Sequence, residues 1–328
     1  MKGLTWVVWR QHRATAWTVL ALTAVAAACF GYWFHQQHAF QHDHGIAGCD
    51  ILLPTCRGQR LTDGSLADVV RVLDTDYRDV LVRAGYAMLA LPSLLAVFLG
   101  APLFARDFES GSHRLALTQS VSPRRWMAAK LAFAVSLTLV VSLVLTALYG
   151  WWWHSTWRDF ATLVWDTPTP FLTAGPAGVA LALLAVVVAA AVGLVLRRTL
   201  PAMVVSLAIS GGMLYLLRAW RPAEHLWPLS TARSTPTHYP DLPRYTLHER
   251  LRYETSSGER ISDRVCPDLS VEANLARCLR EHDVVSSLVE YHPASAYWPT
   301  QWVLAGICLA IAAALVAGCL WWVGRRTA

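Results

Sequence analysis

Charged residues are scarce in this 328-residue sequence. Asp, Glu, Lys and Arg together make up 15% of it, whereas hydrophobic residues make up 55%. Soluble domains usually have about a quarter charged residues, so the composition excludes an ordinary cytosolic enzyme and a disordered chain. Lysine is nearly absent, since it occurs only at Lys2 and Lys130, and arginine supplies almost all of the positive charge.

Charge is missing altogether from six apolar runs of the sequence. Each run is roughly 20 residues long, which is the length a helix needs to cross a hydrocarbon core of about 30 Å. Burying a charge in lipid is costly, so runs without charge are typical of membrane-spanning helices. The predicted spans are span 1 (residues 14–34), span 2 (85–104), span 3 (131–151), span 4 (176–196), span 5 (202–217, extending toward Trp220) and span 6 (301–323). We expect no cleavable signal peptide, because the first run is too long and no small-residue cleavage site follows it.

Basic residues are concentrated on one side of these spans. One set of connecting segments contains 12 Lys or Arg and two acids in 49 residues, and the other contains 16 Arg and 20 acids in 154 residues. Because cytoplasmic segments are enriched in Lys and Arg, we predict that the first set and both termini lie in the cytoplasm. The net charge of +6 then reflects topology and does not indicate nucleic-acid binding. The first set is 1–13, 105–130, 197–201 and 324–328, and the second is 35–83, 152–175 and 218–298.

No cysteine occurs in the predicted cytoplasmic segments. Three of the seven cysteines lie in spans, and the other four lie in predicted external segments: Cys49, Cys56, Cys266 and Cys278. An even number of cysteines in an oxidising compartment is typical of disulfides. Four cysteines allow three pairings, and we favour Cys49 with Cys56 and Cys266 with Cys278 because short loops close readily. Four reduced thiols are the alternative.

The two longer external segments are expected to form a cap. Helical spacing of apolar residues from Leu66 onward predicts a helix that continues into span 2, and similar spacing predicts a second helix over 271–289. The many Pro, Thr, Ser and Arg residues between 221 and 267 predict a loop-rich region. The predicted fold is therefore all-α, a polytopic membrane protein with six transmembrane helices and an extracellular cap built from the first and third external segments.

The motifs of several chemistries are also missing. No lysine follows a glycine-rich loop, so the sequence has no ATP-hydrolysing site of its own. No acid, base or histidine lies near the centre of a span, which disfavours an ion-coupled carrier. No HExxH pair or nucleophile–base set stands out, and we predict no enzyme activity and no cofactor. Four histidines near Asp43 have spacing that is compatible with a metal, although a solvated loop is the more common role: His35, His38, His42 and His44.

Two predicted cytoplasmic segments have distinctive patterns. Residues 105–130 form a short basic loop with a predicted helix over 112–119 and a second helix that begins near Arg124, after Pro123. Such a rigid projection suits docking on a cytoplasmic partner, and a solvated turn with snorkelling arginines is the alternative. The N-terminal segment is either an interfacial amphipathic helix or the basic start of the span 1 helix. Its candidate interfacial residues are Trp6, Trp9, Arg10 and Arg13.

Three short stretches of the sequence contain motifs that, taken together, resemble those of a known protein family. The first is WRQHR at 9–13, and the last is YHPAS at 291–295, followed by Trp298-Pro299 and Gln301-Trp302. The middle stretch is the inner loop, with residues 106–109, 111–112, 118–120 and 124–126 and with Lys130. Together they resemble the permease subunit of type-2 ATP-binding-cassette (ABC) exporters, in the variant common in actinobacteria. Asp107 stands where Glu is more usual, and this difference keeps the charge.

The resemblance implies a six-span permease subunit that works in membrane lipid as a dimer with ABC ATP-binding subunits. It implies a single permease domain over 1–328, with a coupling loop at 105–130 and an external subdomain at 218–298. The loop would dock on the ATPase through Arg106, Asp107, Glu109, Gly111, Ser112, Arg124, Arg125, Trp126 and Lys130. Of these, Arg124, Arg125 and Lys130 would face the partner or lipid headgroups.

The predicted function is export driven by a separate ATPase, along a path at the interface of two permease chains. The apolar spans suit lipids, hydrophobic antibiotics and peptides equally, and the two chains of the dimer are either identical or different. Two alternatives remain open from the residues. One is a polytopic membrane enzyme that uses the histidine cluster, and the other is a ligand-sensing membrane protein with an extracellular cap.

Overall fold

The computed structural model describes residues 2–45, 66–111, 122–156, 167–238, 246–266 and 272–326, with 163, 165, 240, 242 and 243. The chain divides into two compact units. Unit 1 comprises residues 1–220 and 301–328, and unit 2 comprises residues 221–300. Six helices in the described ranges are long and apolar enough to cross a membrane. Each predicted span lies within one of them, so the six-span, mainly helical architecture is confirmed.

The helices of unit 1 are longer than the spans they contain. Span 1 lies in α1 (Lys2–Asp43), span 3 in α5 (Pro123–Thr156), span 4 in α7 (Pro176–Leu196) and span 5 in α8 (Thr199–Trp220). The short helix α6 (Pro168–Thr173) precedes span 4. Span 2 belongs to a run made of α2 (Leu66–Val72), a π-helical turn (Leu73–Tyr77), α3 (Arg78–Leu95), a second π-helical turn (Ala96–Gly100) and α4 (Pro102–Glu109). The helix that was predicted to start at Leu66 therefore does continue into span 2.

Small residues let spans 2 and 4 pack closely together. A buried core of alanines extends this contact to span 5: Ala96, Ala101 and Ala105 come from the run that contains span 2, Ala185 and Ala189 from span 4, and Ala202 from span 5. At Gly100 there is no room for a side chain, since a Cβ atom would lie 2.7 Å from the Cβ of Ala189. In lipid, helix association depends on such close packing because the hydrophobic effect does not drive it. The crossing of these two spans thus positions the end of α4, where the candidate site lies.

Unit 2 contains a four-stranded antiparallel sheet, which corrects two predictions. Its elements are α9 (Pro222–His225), β1 (Ser230–Ser234), β2 (Leu247–Thr255), β3 (Arg260–Ser262), α10 (Glu272–Glu281) and β4 (Val284–His292), in the sheet order β1-β4-β2-β3. The chain then continues into α11 (Tyr297–Arg326), which contains span 6. The prediction of a loop-rich region over 221–267 was wrong for β1, β2 and β3. The second predicted helix ends at Glu281 instead of reaching residue 289.

The physical reason for both corrections is a strand pattern with mixed polarity. In β2, Leu251 and Tyr253 alternate with Arg250, Arg252 and Glu254, which is the two-residue period of a half-buried strand. After α10, Asp283 has a left-handed backbone (φ 52°) that ends the helix. The strand β4 follows, and it pairs with both β1 and β2 in the middle of the sheet.

A disulfide fastens α10 within unit 2. The structure joins Cys266 to Cys278, whose Cα atoms are 5.9 Å apart. Both cysteines belong to the small core formed with Tyr253 and Leu279. The other proposed pair, Cys49 with Cys56, lies outside the described residues.

Candidate coupling site

Two buried charges lie at the end of unit 1 where α4 ends and α5 begins. Lys130 of α5 is 0% exposed and Asp107 of α4 is 4% exposed. The Lys130 Nζ atom forms an ion pair with the Asp107 Oδ2 atom and donates to the carbonyl oxygen of Leu103 at 3.2 Å. The Gln11 Nε2 atom of α1 donates to the Asp107 Oδ1 atom at 2.6 Å. We call Gln11, Asp107 and Lys130 the ion-pair cluster, because they join three helices through one carboxylate.

The position of Lys130 corrects a prediction. This side chain was expected to face a partner or lipid headgroups, but it is enclosed by α4 and α5. Burial of an ammonium group is tolerable here because the carboxylate of Asp107 balances its charge and the Leu103 carbonyl accepts a further hydrogen bond. The Lys130 Nζ atom also lies 5.3 Å from the ring centroid of Trp126, within the range of a cation–π interaction. Lys130 therefore holds helices together and is not part of an exposed docking surface.

Aromatic side chains extend the contact between α4 and α5. The ring of Trp126 lies 5.5 Å from that of Phe104 and 6.3 Å from that of Phe108, measured between centroids. The guanidinium carbon of Arg197 lies 5.3 Å from the ring centroid of Phe108. Arg197 caps the C-terminus of α7 with a left-handed backbone (φ 57°). These three rings and the guanidinium group of Arg197 therefore connect α4 and α5 with the turn between spans 4 and 5.

Glu109 links the end of α4 to the start of span 5. Its Oε2 atom accepts a hydrogen bond from the backbone N–H of Thr199 at 2.9 Å. The first N–H groups of a helix have no partner within the helix, and a carboxylate there is favoured by the helix dipole. Two residues later, Gly111 has a positive φ of 72°, which only glycine adopts readily. The chain thus leaves α4 directly after the residue that caps α8.

The remaining coupling candidates fall into two groups. Arg106, Arg124 and Arg125 are exposed, so their guanidinium groups are accessible. Ser112, together with the helix predicted over 112–119, lies outside the described residues. Of the predicted coupling residues, the structure therefore brings Asp107, Trp126 and Lys130 into one packed cluster, and it leaves three arginines on the surface around it.

The N-terminal segment is part of the helix that carries span 1. Helix α1 is continuous from Lys2 to Asp43, so the prediction of a separate interfacial helix was wrong and the other alternative holds. No proline interrupts this stretch, so its backbone hydrogen bonds continue. The guanidinium carbon of Arg10 lies 5.2 Å from the ring centroid of Trp6, and Trp9 packs edge-on against Phe133 of α5 at 6.3 Å. Arg13 is exposed on the same helix.

Two glutamines were missed as structural residues. Gln11 lies within the WRQHR stretch but had no assigned role. Gln301 is fully buried at the start of span 6, where its Oε1 atom accepts from the backbone N–H of Ala177 at 3.1 Å and its Nε2 atom donates to the carbonyl of Phe171. The sequence did show Gln301 as an uncharged polar residue at the edge of an apolar run. Its two partners lie 124 and 130 residues away, and no local pattern could predict these contacts.

The histidines near the end of α1 have aromatic neighbours. The ring of His38 lies 4.4 Å from that of Phe34, and the ring of His44 lies 4.2 Å from that of Phe40. Within the described ranges, no group of three or more His, Cys, Asp or Glu side chains is placed to hold a metal ion.

Comparison with known protein families gives a match over most of the chain. The model of the family described as ABC-2 membrane transporter related matches residues 20–221. The matched region includes most of span 1, all of spans 2 to 5 and the ends of α4 and α5 that form the candidate site. No curated protein and no solved structure matches the chain.

Proposed function

The chain belongs to the family of ABC-2 membrane transporter related proteins, and from this premise we propose that it is the permease subunit of an exporter driven by a separate ABC ATP-binding subunit. Family membership and six apolar helices identify a multi-pass membrane transporter permease. A permease of this family is the membrane component of a transporter and does not itself act as a catalyst. The family also implies an ABC ATP-binding partner, and our proposal concerns where and how that partner acts.

The observation that carries the proposal is the linkage at the end of α4. One carboxylate, Asp107, contacts both α1 and α5, and two residues farther on Glu109 caps α8. A force applied at the end of α4 is therefore transmitted to spans 1, 2, 3 and 5 at the same time. Packed interfaces switch between discrete arrangements and do not deform continuously, so such a joint can convert closure of an ATPase into helix movement.

The surface around this joint has the charge that a docking site needs. Arg106, Arg124 and Arg125 are exposed beside the packed cluster, and a basic patch of this kind steers an acidic partner surface toward it. We propose that the ATP-binding subunit presents carboxylates to these three arginines. Asp107, Trp126 and Lys130 then act behind the docking surface as the rigid support.

We further propose that this end of the molecule, with both termini, lies in the cytoplasm. The support is the charge distribution: 12 Lys or Arg against two acids in the connecting segments on this side. A membrane-impermeant thiol reagent applied to intact cells should label the Ser257→Cys variant and leave the Arg124→Cys variant at the level of the parent chain. Labelling of Arg124→Cys alone would reverse the orientation and contradict the docking proposal.

The resemblance to type-2 exporters supports the presence of a second permease chain in the complex. We propose that two permease chains assemble with the ATP-binding subunits in the membrane, with the transport path between them. Light scattering of the purified complex should give a mass that contains two permease chains. A mass that contains one chain, with the ATP-binding subunit still bound, would contradict this arrangement.

Charge reversal tests the docking surface directly. The double variant Arg124→Glu/Arg125→Glu should lose the ABC ATP-binding subunit during purification and lower the ATP turnover of the preparation at least about tenfold, as expected for opposed like charges at a contact. The matched control is Arg71→Glu, an exposed arginine on α2 at the other end of span 2. Equal recovery and equal ATP turnover for the double variant and the control would refute docking at these arginines.

A further inference from the structure

A second polar feature of unit 1 lies at the end of spans 1 and 2 that is remote from the ion-pair cluster. A cavity of about 370 Å³ opens between α1 and the α2–α3 run. Its wall includes two aromatic rings, two carboxylates and one guanidinium group, from Trp33, Tyr77, Asp76, Asp79 and Arg83. The volume lies within the range of small-molecule sites, about 300–1,000 Å³.

The aromatic part of the wall joins the two helices. The rings of Trp33 and Tyr77 meet edge to face, with centroids 6.5 Å apart and planes at 81°. The Trp33 side chain is 36% exposed, so part of its ring is open to a ligand. The faces of Trp and Tyr rings attract organic cations, and this arrangement therefore favours a positively charged group in the cavity.

The two carboxylates of the wall differ in what they already bind. Asp79 forms an ion pair with Arg78 at 3.3 Å, which compensates its charge. Asp76 accepts a hydrogen bond from the Thr75 hydroxyl at 3.0 Å and is exposed. A hydroxyl donor leaves the net charge of the Asp76 carboxylate in place, so Asp76 is the acidic group that can serve as counter-ion to a ligand.

The backbone at this point is unusual. Asp76 and Tyr77 belong to the π-helical turn Leu73–Tyr77, closed by a hydrogen bond from the Arg78 N–H to the Leu73 carbonyl. Such turns within α-helices are rare and occur frequently at functional sites. In this chain the turn contributes both the carboxylate and one of the two rings to the same cavity.

We propose that this cavity binds an organic ammonium group, with Asp76 as its counter-ion and Trp33 and Tyr77 as its aromatic walls. Arg83 lies seven residues beyond Asp76 on the wall and opposes a cation by like-charge repulsion. The site does not depend on docking of the ATP-binding subunit, so this proposal and the proposed function can fail separately.

Calorimetric titration of the full chain in dodecyl maltoside with benzyltrimethylammonium tests the proposal. The unmodified chain should bind one equivalent saturably. The variants Asp76→Asn and Trp33→Leu should each weaken binding by about tenfold, a size typical of a charge pair or cation–π contact removed from a binding site. Arg83→Gln should instead tighten binding, by about threefold, because it removes a repelling charge.

The matched control is Asp68→Asn. Asp68 lies on α2, where its exposed side chain is beside Arg71, so this variant loses the same charge outside the cavity. Neopentylbenzene, the uncharged analogue of the probe, should not bind. Absence of saturable binding by the unmodified chain, equal affinity for Asp76→Asn and Asp68→Asn, or equal binding of the uncharged analogue would each overturn the proposal. Opposite effects of Asp76→Asn and Arg83→Gln would distinguish ligand binding from a general loss of folding.

Discussion

Asp107 and Lys130 have opposite charges at a place where each is almost fully enclosed by protein. An ion pair of this kind contributes little net stability compared with apolar residues of similar size, because both charges lose their hydration. Removal of one partner has a much larger effect, since the other charge is left buried and uncompensated. At the scale of single residues, the pair therefore acts mainly as a constraint that fixes α4 against α5.

This asymmetry gives a prediction for Lys130. The Lys130→Met variant should lower the free energy of unfolding by about 3–5 kcal/mol, whereas the double variant Lys130→Met/Asp107→Leu should regain most of that loss. Reversible unfolding in mixtures of dodecyl sulfate and dodecyl maltoside, followed by circular dichroism, measures the difference. Arg124→Met, which removes an exposed charge on the same helix, is the control. A double variant as unstable as Lys130→Met would show that the pair is not coupled in this way.

The sequence predicts a coupling loop at residues 105–130, but it could not predict which of those residues are buried. Lys130 was expected to face a partner or lipid headgroups because the resemblance to type-2 exporters implies that role. In the structure Lys130 pairs with Asp107, which lies 23 residues earlier in the sequence. Asp107 in turn accepts a hydrogen bond from Gln11, which lies 96 residues before Asp107. Such contacts arise only when three helices pack side by side, and no local pattern reveals them.

At the scale of helices and strands, close packing explains how spans 2 and 4 cross. Gly193 of α7 faces the backbone at the start of α4, and a Cβ atom there would overlap the carbonyl oxygen of Ala101, the residue that precedes α4. At Gly211 of α8, by contrast, a Cβ atom would meet no neighbour within 4 Å in the described part of the chain. Two glycines in apolar helices therefore have opposite roles, one in packing and the other at an open surface.

Replacement of each glycine by alanine tests this difference. Gly193→Ala should lower the free energy of unfolding by about 1–3 kcal/mol, because the extra methyl group forces the helices apart. Gly211→Ala should leave stability unchanged or raise it by up to about 1 kcal/mol, because alanine favours the helix. Both variants are compared by the same dodecyl sulfate titration. Equal effects of the two substitutions would contradict the described crossing of α4 and α7.

The cap formed by Glu109 gives a second prediction for a helix. Glu109→Ala should accelerate hydrogen–deuterium exchange in the first turn of α8 by about fivefold, as expected when a helix N-terminus loses its cap. The variant Arg106→Ala, which removes an exposed side chain one turn earlier, should leave that exchange unchanged. Unaltered exchange near Thr199 in Glu109→Ala would remove the link between α4 and span 5.

Prediction of individual elements succeeded where one physical rule dominates. The spans were predictable because a charge-free run of sufficient length has few alternatives in a membrane protein. The conformation of segment 284–292 was not predictable, because a short apolar run after a helix is compatible with either a longer helix or a strand. Its strand conformation follows from pairing with β1 and β2, which is a long-range property.

At the scale of the whole chain, the two ends of the membrane-spanning helices differ in the residues that they present. One end has the ion-pair cluster, the cap of α8 and three exposed arginines, and the other has the cavity with Asp76 and Trp33. The asymmetry of Lys and Arg in the sequence predicts which end is cytoplasmic. The family alone does not specify where an ATP-binding subunit makes contact, and we propose that it docks at the first end.

Site-specific photo-crosslinking in the intact complex tests this claim most directly. A photoreactive p-benzoylphenylalanine at position Arg124 or Arg125 should form a cross-link to an ABC ATP-binding subunit, identified by mass spectrometry. The same group at Arg71 or Arg218, at the other end of spans 2 and 5, should not. Cross-links to the ATP-binding subunit from Arg71 or Arg218, or none from Arg124 and Arg125, would contradict docking at this end of the helices.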